Sequence, residues 1–260
     1  MAFAIGDPYR KLATVVHRLD PRIKLIVALL LIVLVNLLPA GHWWAYLGFW
    51  LVVLLVSCLA GLGPLYTIKK SLFATPFILA ALSIPFTTQG AAVLTIPWLG
   101  WAMTDKGIQL LFSVLFRFWI AVQTAVLLVA VTRIPDLLWA LRTLRLPAVL
   151  VSVIAVMYRY LRILGSEANR MLRARTARSC KVKGNRSPSL IWRGRVTGAM
   201  IGSLFLRAVE RSERIHLAML SRGYDGSPRS LASFRLSYAD WLTLFGCLFL
   251  ALICSIWVLL

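Results

Sequence analysis

Acidic side chains are scarce in this sequence, and their scarcity excludes several functions. The 260 residues include 9 aspartates and glutamates against 29 lysines and arginines, a formal net charge of +20. Asp105, Asp136 and Asp240 fall at the ends of apolar runs rather than inside them. A carboxylate relay through the membrane, of the kind that proton-coupled carriers use, is therefore not expected.

Cysteine and histidine are also few. Three of the four cysteines lie in apolar runs and one in a basic stretch, with no CxxC pair, and the three histidines are widely separated. Neither a zinc site nor a disulfide framework is indicated. The sequence has no GxxxxGK[ST], HExxH or GxSxG motif. We expect no catalytic, cofactor-binding or metal-binding residue in this chain, and hence no enzyme.

Apolar residues, by contrast, are abundant. They make up 60% of the chain, and the mean hydropathy is +0.81, so a water-soluble globule of this length would lack polar residues to cover its surface. Twenty of the 29 basic residues lie between Arg133 and Arg235. This clustering is typical of the positive-inside topology signal and accounts for the charge without a nucleic-acid partner.

The apolar pattern predicts an all-α membrane protein with about five transmembrane helices. Amphipathic cytoplasmic helices would lie between the fourth and fifth spans. We divide the chain into a membrane domain of four spans at 1–132, a basic cytoplasmic region at 133–240 and a last span at 241–260. The N-terminus would be cytoplasmic and the C-terminus outside. The predicted spans are Ile23–Leu38, Trp43–Leu62, Leu72–Phe86, Gly107–Thr132 and Trp241–Leu260, with an interfacial or re-entrant connection at 87–106.

Helical periodicity continues in the basic region. A surface helix is predicted after Arg133. A half-buried helix over Pro147–Leu164 would continue into Glu167–Arg178, although its first part is apolar enough to be a sixth span. A polar loop at 181–195 and a second helix over Val196–Arg222 follow.

Both of these longer helices end in a similar motif. Residues 174–179 and 218–223 each read Ala-x-x-small-Arg-small. Small neighbours allow the helix end to approach a partner closely, Gly223 supplies a left-handed stop, and Arg178 or Arg222 presents a guanidinium at the tip. Ordinary positive-inside arginines remain an alternative interpretation.

Arg117 is the one charge well inside a predicted span. A lipid-facing arginine at that depth is costly unless it snorkels. We predict that it faces the helical bundle or a membrane partner, with snorkelling to the outer interface as the alternative.

The whole pattern resembles the transmembrane T components of energy-coupling factor (ECF) transporters, and among them the cobalt-type subunit, CbiQ. The resemblance rests on four segments of nearly the whole chain: residues 17–24 (HRLDPRIK), 135–138 (PDLL), 157–160 (MYRY) and 218–226 (AMLSRGYDG). The family's two Ala-Arg-Gly motifs fall on Ala177-Arg178-Ser179 and Ser221-Arg222-Gly223. This sequence departs from them at Ser179 and Ser221, and Arg175 offers an alternative register for the first.

The resemblance implies a non-catalytic scaffold in a bacterial inner-membrane importer. Its partners would be two cytoplasmic ATPase subunits that bind ATP, a metal-binding substrate subunit in the membrane, and membrane lipids. Cobalt or nickel is the implied substrate, and a vitamin ECF transporter is an alternative. A lipid-phosphate transferase, from another class, would need paired acids, for which Glu210 and Glu213 are the only candidates; these are more simply helix-surface partners of nearby arginines.

Overall fold

A computed structural model describes most of the chain. The described residues are 9–10, 12, 14–72, 81, 83–84, 92–96, 101–178, 189–226, 237–238, 240–247 and 249, with the backbone alone at 92–96 and 101–103. They divide into two compact units, with boundaries between Ala140 and Leu141 and between Leu231 and Ala232. The first unit contains the described residues up to Ala140 together with those after 232, and the second contains those from 141 to 231.

The first unit is mainly helical. Its elements are α1 (Val15–Arg18), α2 (Pro21–Leu37), α3 (Trp43–Leu59), α4 (Pro64–Ser71), β1 (Ala92–Ile96), β2 (Trp101–Thr104), α5 (Asp105–Val131) and the start of α6 (Ile134–Thr143). Residues 240–247 are also helical. The start of α2 is well specified, because the Asp20 side chain accepts a hydrogen bond from the Arg22 amide and Pro21 occupies the first turn.

The long helix α5 is central to the first unit, where it packs against α2, α3 and α4. One buried apolar cluster joins α2, α3 and α5 through residues such as Val35, Tyr46 and Ile120. A second joins the end of α3 to the end of α5 through Ala60 and Val131. The all-α fold class predicted for this membrane protein is confirmed.

Two helices among the described residues are long and apolar enough to cross a membrane, α5 and α7 (Ala148–Arg178). The bent pair α3 and α4 is a third candidate, with a bend of 119°. The predicted spans Ile23–Leu38 and Trp43–Leu62 correspond to helices of 17 residues each. The predicted spans at 72–86 and 241–260 lie largely outside the described residues, so the five-span topology and the three-part domain division stay predictions.

The connection predicted at 87–106 contains a hairpin that the sequence did not indicate. β1 and β2 pair antiparallel, with Ile96 opposite Trp101, and the register shifts between Ala92 and Leu94. The turn signals at Gly90, Pro97 and Gly100 suggested only an irregular segment, because two strands this short leave little periodicity to detect.

The second unit contains α7 and α8 (Leu190–Leu220), each of 31 residues. α7 is continuous, as predicted for the helix that runs into Glu167–Arg178. The predicted loop at 181–195 is wrong in its last part, because α8 begins at Leu190 and not at Val196. The Ser189 hydroxyl caps this earlier start by accepting from the Trp192 amide at 3.3 Å.

Candidate functional site

The two long helices of the second unit run in opposite directions and are joined by polar contacts. Glu167 of α7 accepts hydrogen bonds from Arg170 of the same helix and from Arg207 of α8, the latter at 2.8 Å. Farther along α7, Arg175 donates to the Thr197 hydroxyl at 2.9 Å. Since α7 advances from 167 to 175 while α8 goes back from 207 to 197, the pair is antiparallel.

Electrostatics favour an ionised Glu167 at this crossing. The hydrogen bond from Arg170, and secondarily the bond and charge of Arg207, hold the pKa of the Glu167 carboxyl below its usual value. We name Glu167, Arg170 and Arg207 the crossing cluster. Among the described residues of α7 and α8, only Val151 and Ser152 are buried. Apolar packing therefore contributes little to holding the two helices together, and the bonds of the crossing cluster matter more.

The antiparallel arrangement separates the two arginine motifs. Arg178 lies eleven residues beyond Glu167 on α7, and Arg222 lies fifteen residues beyond Arg207, in the turn that ends α8. With a rise of about 1.5 Å per residue, the two arginines extend roughly 16 and 22 Å from the crossing in opposite directions. One helix pair therefore presents two arginines at its two opposite ends.

The end of α8 has the geometry predicted from its glycine. Gly223 has a φ of +74°. The Tyr224 amide donates to the Met219 carbonyl at 3.0 Å and the Gly223 amide donates to Leu220 at 2.9 Å. These two bonds form a Schellman motif, which ends the helix and satisfies its last carbonyls. Ser221 and Arg222 are exposed in this turn, so the arginine projects from a closed and well-defined helix end.

At the end of α7, Ala177 and Arg178 are exposed, while Arg175 is half-buried and bonded to α8. Ser179 lies outside the described residues. The alternative register thus places Arg175 where its side chain holds the helix pair together. Arg178 occupies the last turn of the helix, where its charge also interacts favourably with the helix dipole.

A groove lies beside each arginine-bearing end. The groove next to Arg178 has a volume of about 780 Å³ and is lined by Glu167, Arg170, Arg175, Trp192 and Arg207, among others. The groove that leads toward the end of α8 is smaller, about 280 Å³, and mainly apolar, with Met157, Tyr160 and Met219 in its wall. The two ends therefore differ in chemistry, since several arginines line the first groove, whereas the second is almost wholly apolar.

Arg117 has a separate position, in the first unit. Its Nε donates to the Tyr46 hydroxyl at 2.9 Å, and its guanidinium also donates to the Leu38 carbonyl at the end of α2. Tyr46 in turn donates to the Pro39 carbonyl at 3.2 Å. The side chain thus bonds to other helices of its own unit, where it holds the turn that connects α2 to α3.

Sequence reasoning missed one buried acidic pair. Asp20 and Asp240 are 2% and 1% exposed, and the Asp20 amide donates to Oδ1 of Asp240 at 2.9 Å. Each residue lies at the start of a helix, in a local pattern that signals capping: Asp20 before Pro21, and Asp240 three residues after Ser237. The capping pattern was readable, but its long-range pairing was not.

These features together describe a membrane-embedded helical protein with a charged, two-ended helix pair. The part of the chain that the structure describes brings no three His, Cys, Asp or Glu residues together at a metal site. The class they define is an all-α membrane protein.

Comparison with known proteins identifies the family. The family model described as cobalt transport protein, CbiQ, matches residues 13–233, and the chain belongs to this family. A protein named cobalt transport protein CbiQ from Rhodobacter capsulatus is 31% identical over 59% of this chain and 62% of its own length. A protein named energy-coupling factor transporter transmembrane protein EcfT, from Limosilactobacillus fermentum, is 26% identical over 82% of this chain and 80% of its own.

An archaeal relative covers a similar share of the chain. An uncharacterized protein of Methanocaldococcus jannaschii is 26% identical over 85% of this chain and 75% of its own length. The resemblance drawn from sequence motifs is therefore confirmed at the level of the family, and the chain is a transporter membrane component.

Proposed function

We propose that this chain is the transmembrane coupling subunit of an ATP-driven ECF-type importer. It links two cytoplasmic ATPase subunits to a substrate-binding subunit in the membrane and carries out no reaction itself. In this proposal the ATPases bind ATP, and the second unit faces the cytoplasm. The family match and the relatives named EcfT support this assignment.

The observation that carries the proposal is the placement of Arg178 and Arg222 at opposite ends of one antiparallel helix pair. Two ATPase subunits that close on ATP need two attachment points, and a helix pair of this kind offers one to each. A guanidinium fork fixes direction as well as distance, because its N–H donors are planar and can bond a carboxylate or helix-end carbonyls in pairs.

Transmission of movement also requires that the helix pair move as a body. The crossing cluster and the Arg175–Thr197 bond connect α7 to α8 at two points, eight residues apart on α7. Closure of the ATPases at either end would thus displace both helices together. This role for Arg175 supports Arg178 as the docking residue of α7.

Cobalt is the proposed substrate. The description of the family model and the name of the R. capsulatus relative favour it. A vitamin is the alternative substrate, because the relatives named EcfT match more of the chain and their names specify no substrate. Uptake of radiolabelled Co²⁺ in cells that express the chain with its co-purifying partners, competed with Ni²⁺ or with vitamins, distinguishes these substrates.

The proposal is tested by Arg222→Ala and Arg178→Ala. Removing the buried charge of such an interface costs about 2–5 kcal/mol, which is at least roughly 30-fold in affinity. Each variant should therefore lose most of the ATPase that co-purifies with it in mild detergent, and lose uptake, while the amount of protein in the membrane is unchanged.

Arg173→Ala is the matched control, because Arg173 is an exposed arginine on the same helix as Arg178. It should retain ATPase association and uptake. Equal, near-native behaviour of the Arg173, Arg178 and Arg222 variants would reduce the motifs to topology charges. If Arg175→Ala alone lost ATPase association, the first motif would be in the alternative register.

A further inference from the structure

The first turn of α2 makes contacts far beyond its own helix. The amide of Asp20 donates to Oδ1 of Asp240, and Oδ2 of Asp240 accepts from the Ser237 amide at 2.8 Å. A single carboxylate therefore bonds the N-termini of two helices that are 220 residues apart in sequence. Both helix starts carry partial positive charge, which a carboxylate stabilises.

The same turn also contacts the start of α6. The guanidinium carbon of Arg22 lies 4.2 Å from the ring centre of Trp139, a cation–π contact. Lys24 is close enough to Asp20, Asp136 and Asp240 for all three carboxylates to act on its charge. Its ammonium also donates to the His17 carbonyl at 2.9 Å. The cations of this turn thus face acidic and aromatic groups on both α6 and the segment at 237–240.

These two contacts have a particular place in the chain. α6 is where the chain leaves the first unit, at Ala140, and residues 237–240 follow its return. Asp20, Arg22 and Lys24 therefore contact the chain just before it leaves the first unit at Ala140, and again at Asp240, shortly after it returns. We call these three residues and their partners Asp136, Trp139 and Asp240 the α2 joint.

We propose that the α2 joint is the fixed attachment through which movement of the arginine-bearing helix pair reaches the membrane helices, with Asp240 as its principal positioning residue. A lever transmits displacement only if its attachment does not yield. Without the joint, α6 and the segment around Asp240 would shift when the second unit moves, and the membrane helices would stay in place.

Asp240 is the residue to change because its bonds are the well-formed ones. The ion pair of Asp20 and Arg22 is long, at 4.0 Å, whereas both oxygens of Asp240 accept backbone hydrogen bonds shorter than 3.0 Å. Charge-assisted bonds of this length are about twice as strong as neutral ones. Asp240→Asn keeps the shape of the side chain but removes its charge and one of its two acceptors.

The inference rests on the proposed function, and the experiment separates the two. The complete complex, with its co-purifying ATPases and membrane subunit, is placed in lipid vesicles, and Co²⁺ uptake and ATP hydrolysis are measured together. Asp240→Asn should bind ATPases and hydrolyse ATP like the native complex, but take up roughly tenfold less Co²⁺ per ATP, because the loss of one charge-assisted hydrogen bond shifts the joint toward an open, non-transmitting form by about that factor. A merely structural role would lower the amount of complex and leave this ratio unchanged, which would overturn the proposal.

Asp105→Asn is the matched control, since Asp105 is an exposed acid in the first turn of α5, and it should keep the native ratio. A native complex that takes up no Co²⁺ would refute the proposed substrate and not the joint. If the native complex takes up no Co²⁺, or if Asp240→Asn does not assemble, a cross-link tests whether the joint stays closed.

The cross-link joins cysteines introduced as Leu19→Cys and Ser237→Cys, in a chain without its native cysteines. The amides of residues 20 and 237 bond to one carboxylate, so their nitrogens lie within about 8 Å of each other. A short, reducible thiol cross-linker should react equally with and without ATP and leave ATP-driven function intact. A yield that falls with ATP, or a loss of function that reductant reverses, would show that the joint opens and would overturn the proposal.

Discussion

Replacement of Arg117 by leucine tests how the membrane unit accommodates a charge inside α5. The variant removes the donors to the Tyr46 hydroxyl and the Leu38 carbonyl. Tyr46 is 1% exposed, so water does not readily replace the lost donor to its oxygen. The turn between α2 and α3 would also lose a hydrogen bond to α5 and keep the weaker one from the Gly41 amide to Ser113, at 3.3 Å.

The size of the effect follows from the two bonds. In water a hydrogen bond to a charged group contributes about 1.5–3 kcal/mol. Between membrane helices the average is about 0.6 and the maximum about 1.7 kcal/mol, because the unfolded chain in the bilayer also finds partners. Since Arg117 lies inside a membrane helix, the membrane values apply, and its two bonds give a loss of roughly 1–3 kcal/mol for Arg117→Leu. Arg117→Lys keeps the charge but not the planar fork, so it should recover less than half of this loss.

The measurement is reversible unfolding in mixed micelles for Arg117→Leu, Tyr46→Phe and the double variant. The cycle should give a coupling energy within the membrane range, about 0.6–1.7 kcal/mol. Lys106→Leu, at an exposed position in the first turn of α5, is the control and should change stability by less than about 0.5 kcal/mol. No coupling to Tyr46, or full recovery by lysine, would mean that Arg117 snorkels to the interface and that the bundle contacts do not stabilise the protein.

Two further predictions concern the second unit. The partners of Glu167 lower its pKa, so its ionised form stabilises the folded chain at any pH above the ordinary pKa of a glutamate. This contribution disappears as the pH falls through the lowered pKa. When the pH is lowered from 6 to below about 4.5, the native protein should therefore lose more thermal stability than the Glu167→Gln variant. Glu213→Gln is the control and should respond to pH like the native chain. Equal responses of all three proteins would contradict the role of the crossing cluster. Gly223→Ala should lower the stability by about 1 kcal/mol because of the positive φ at this position, since open space surrounds the added methyl group. It should also weaken ATPase co-purification, but less than Arg222→Ala does. Gly198→Ala, in the middle of α8, is the control and should be neutral or stabilising, and no difference between the two glycine variants would show that the helix stop is unimportant.

Local signals predicted much of the second unit. The helix that ends at Arg178, the stop at Gly223 and the exposure of Arg222 all follow from interactions within a few residues, which capping and periodicity rules describe well. The start of α8 was missed by six residues, because Ser189 is a good cap inside a stretch whose polar composition favoured a loop. The hairpin at 92–104 was missed because short strands carry weak periodicity.

The amino-acid sequence by itself determined the class of the protein and its family, because membrane insertion depends on hydropathy and charge distribution along the chain, and the family motifs are local. It also determined where the arginine-bearing helix ends fall. Only the tertiary structure decided which residues meet across long separations. The bonds from Arg117 to Tyr46, from Glu167 to Arg207 and from Asp20 to Asp240 join residues 71, 40 and 220 positions apart. Such pairs depend on the packing of whole helices, which no local pattern specifies.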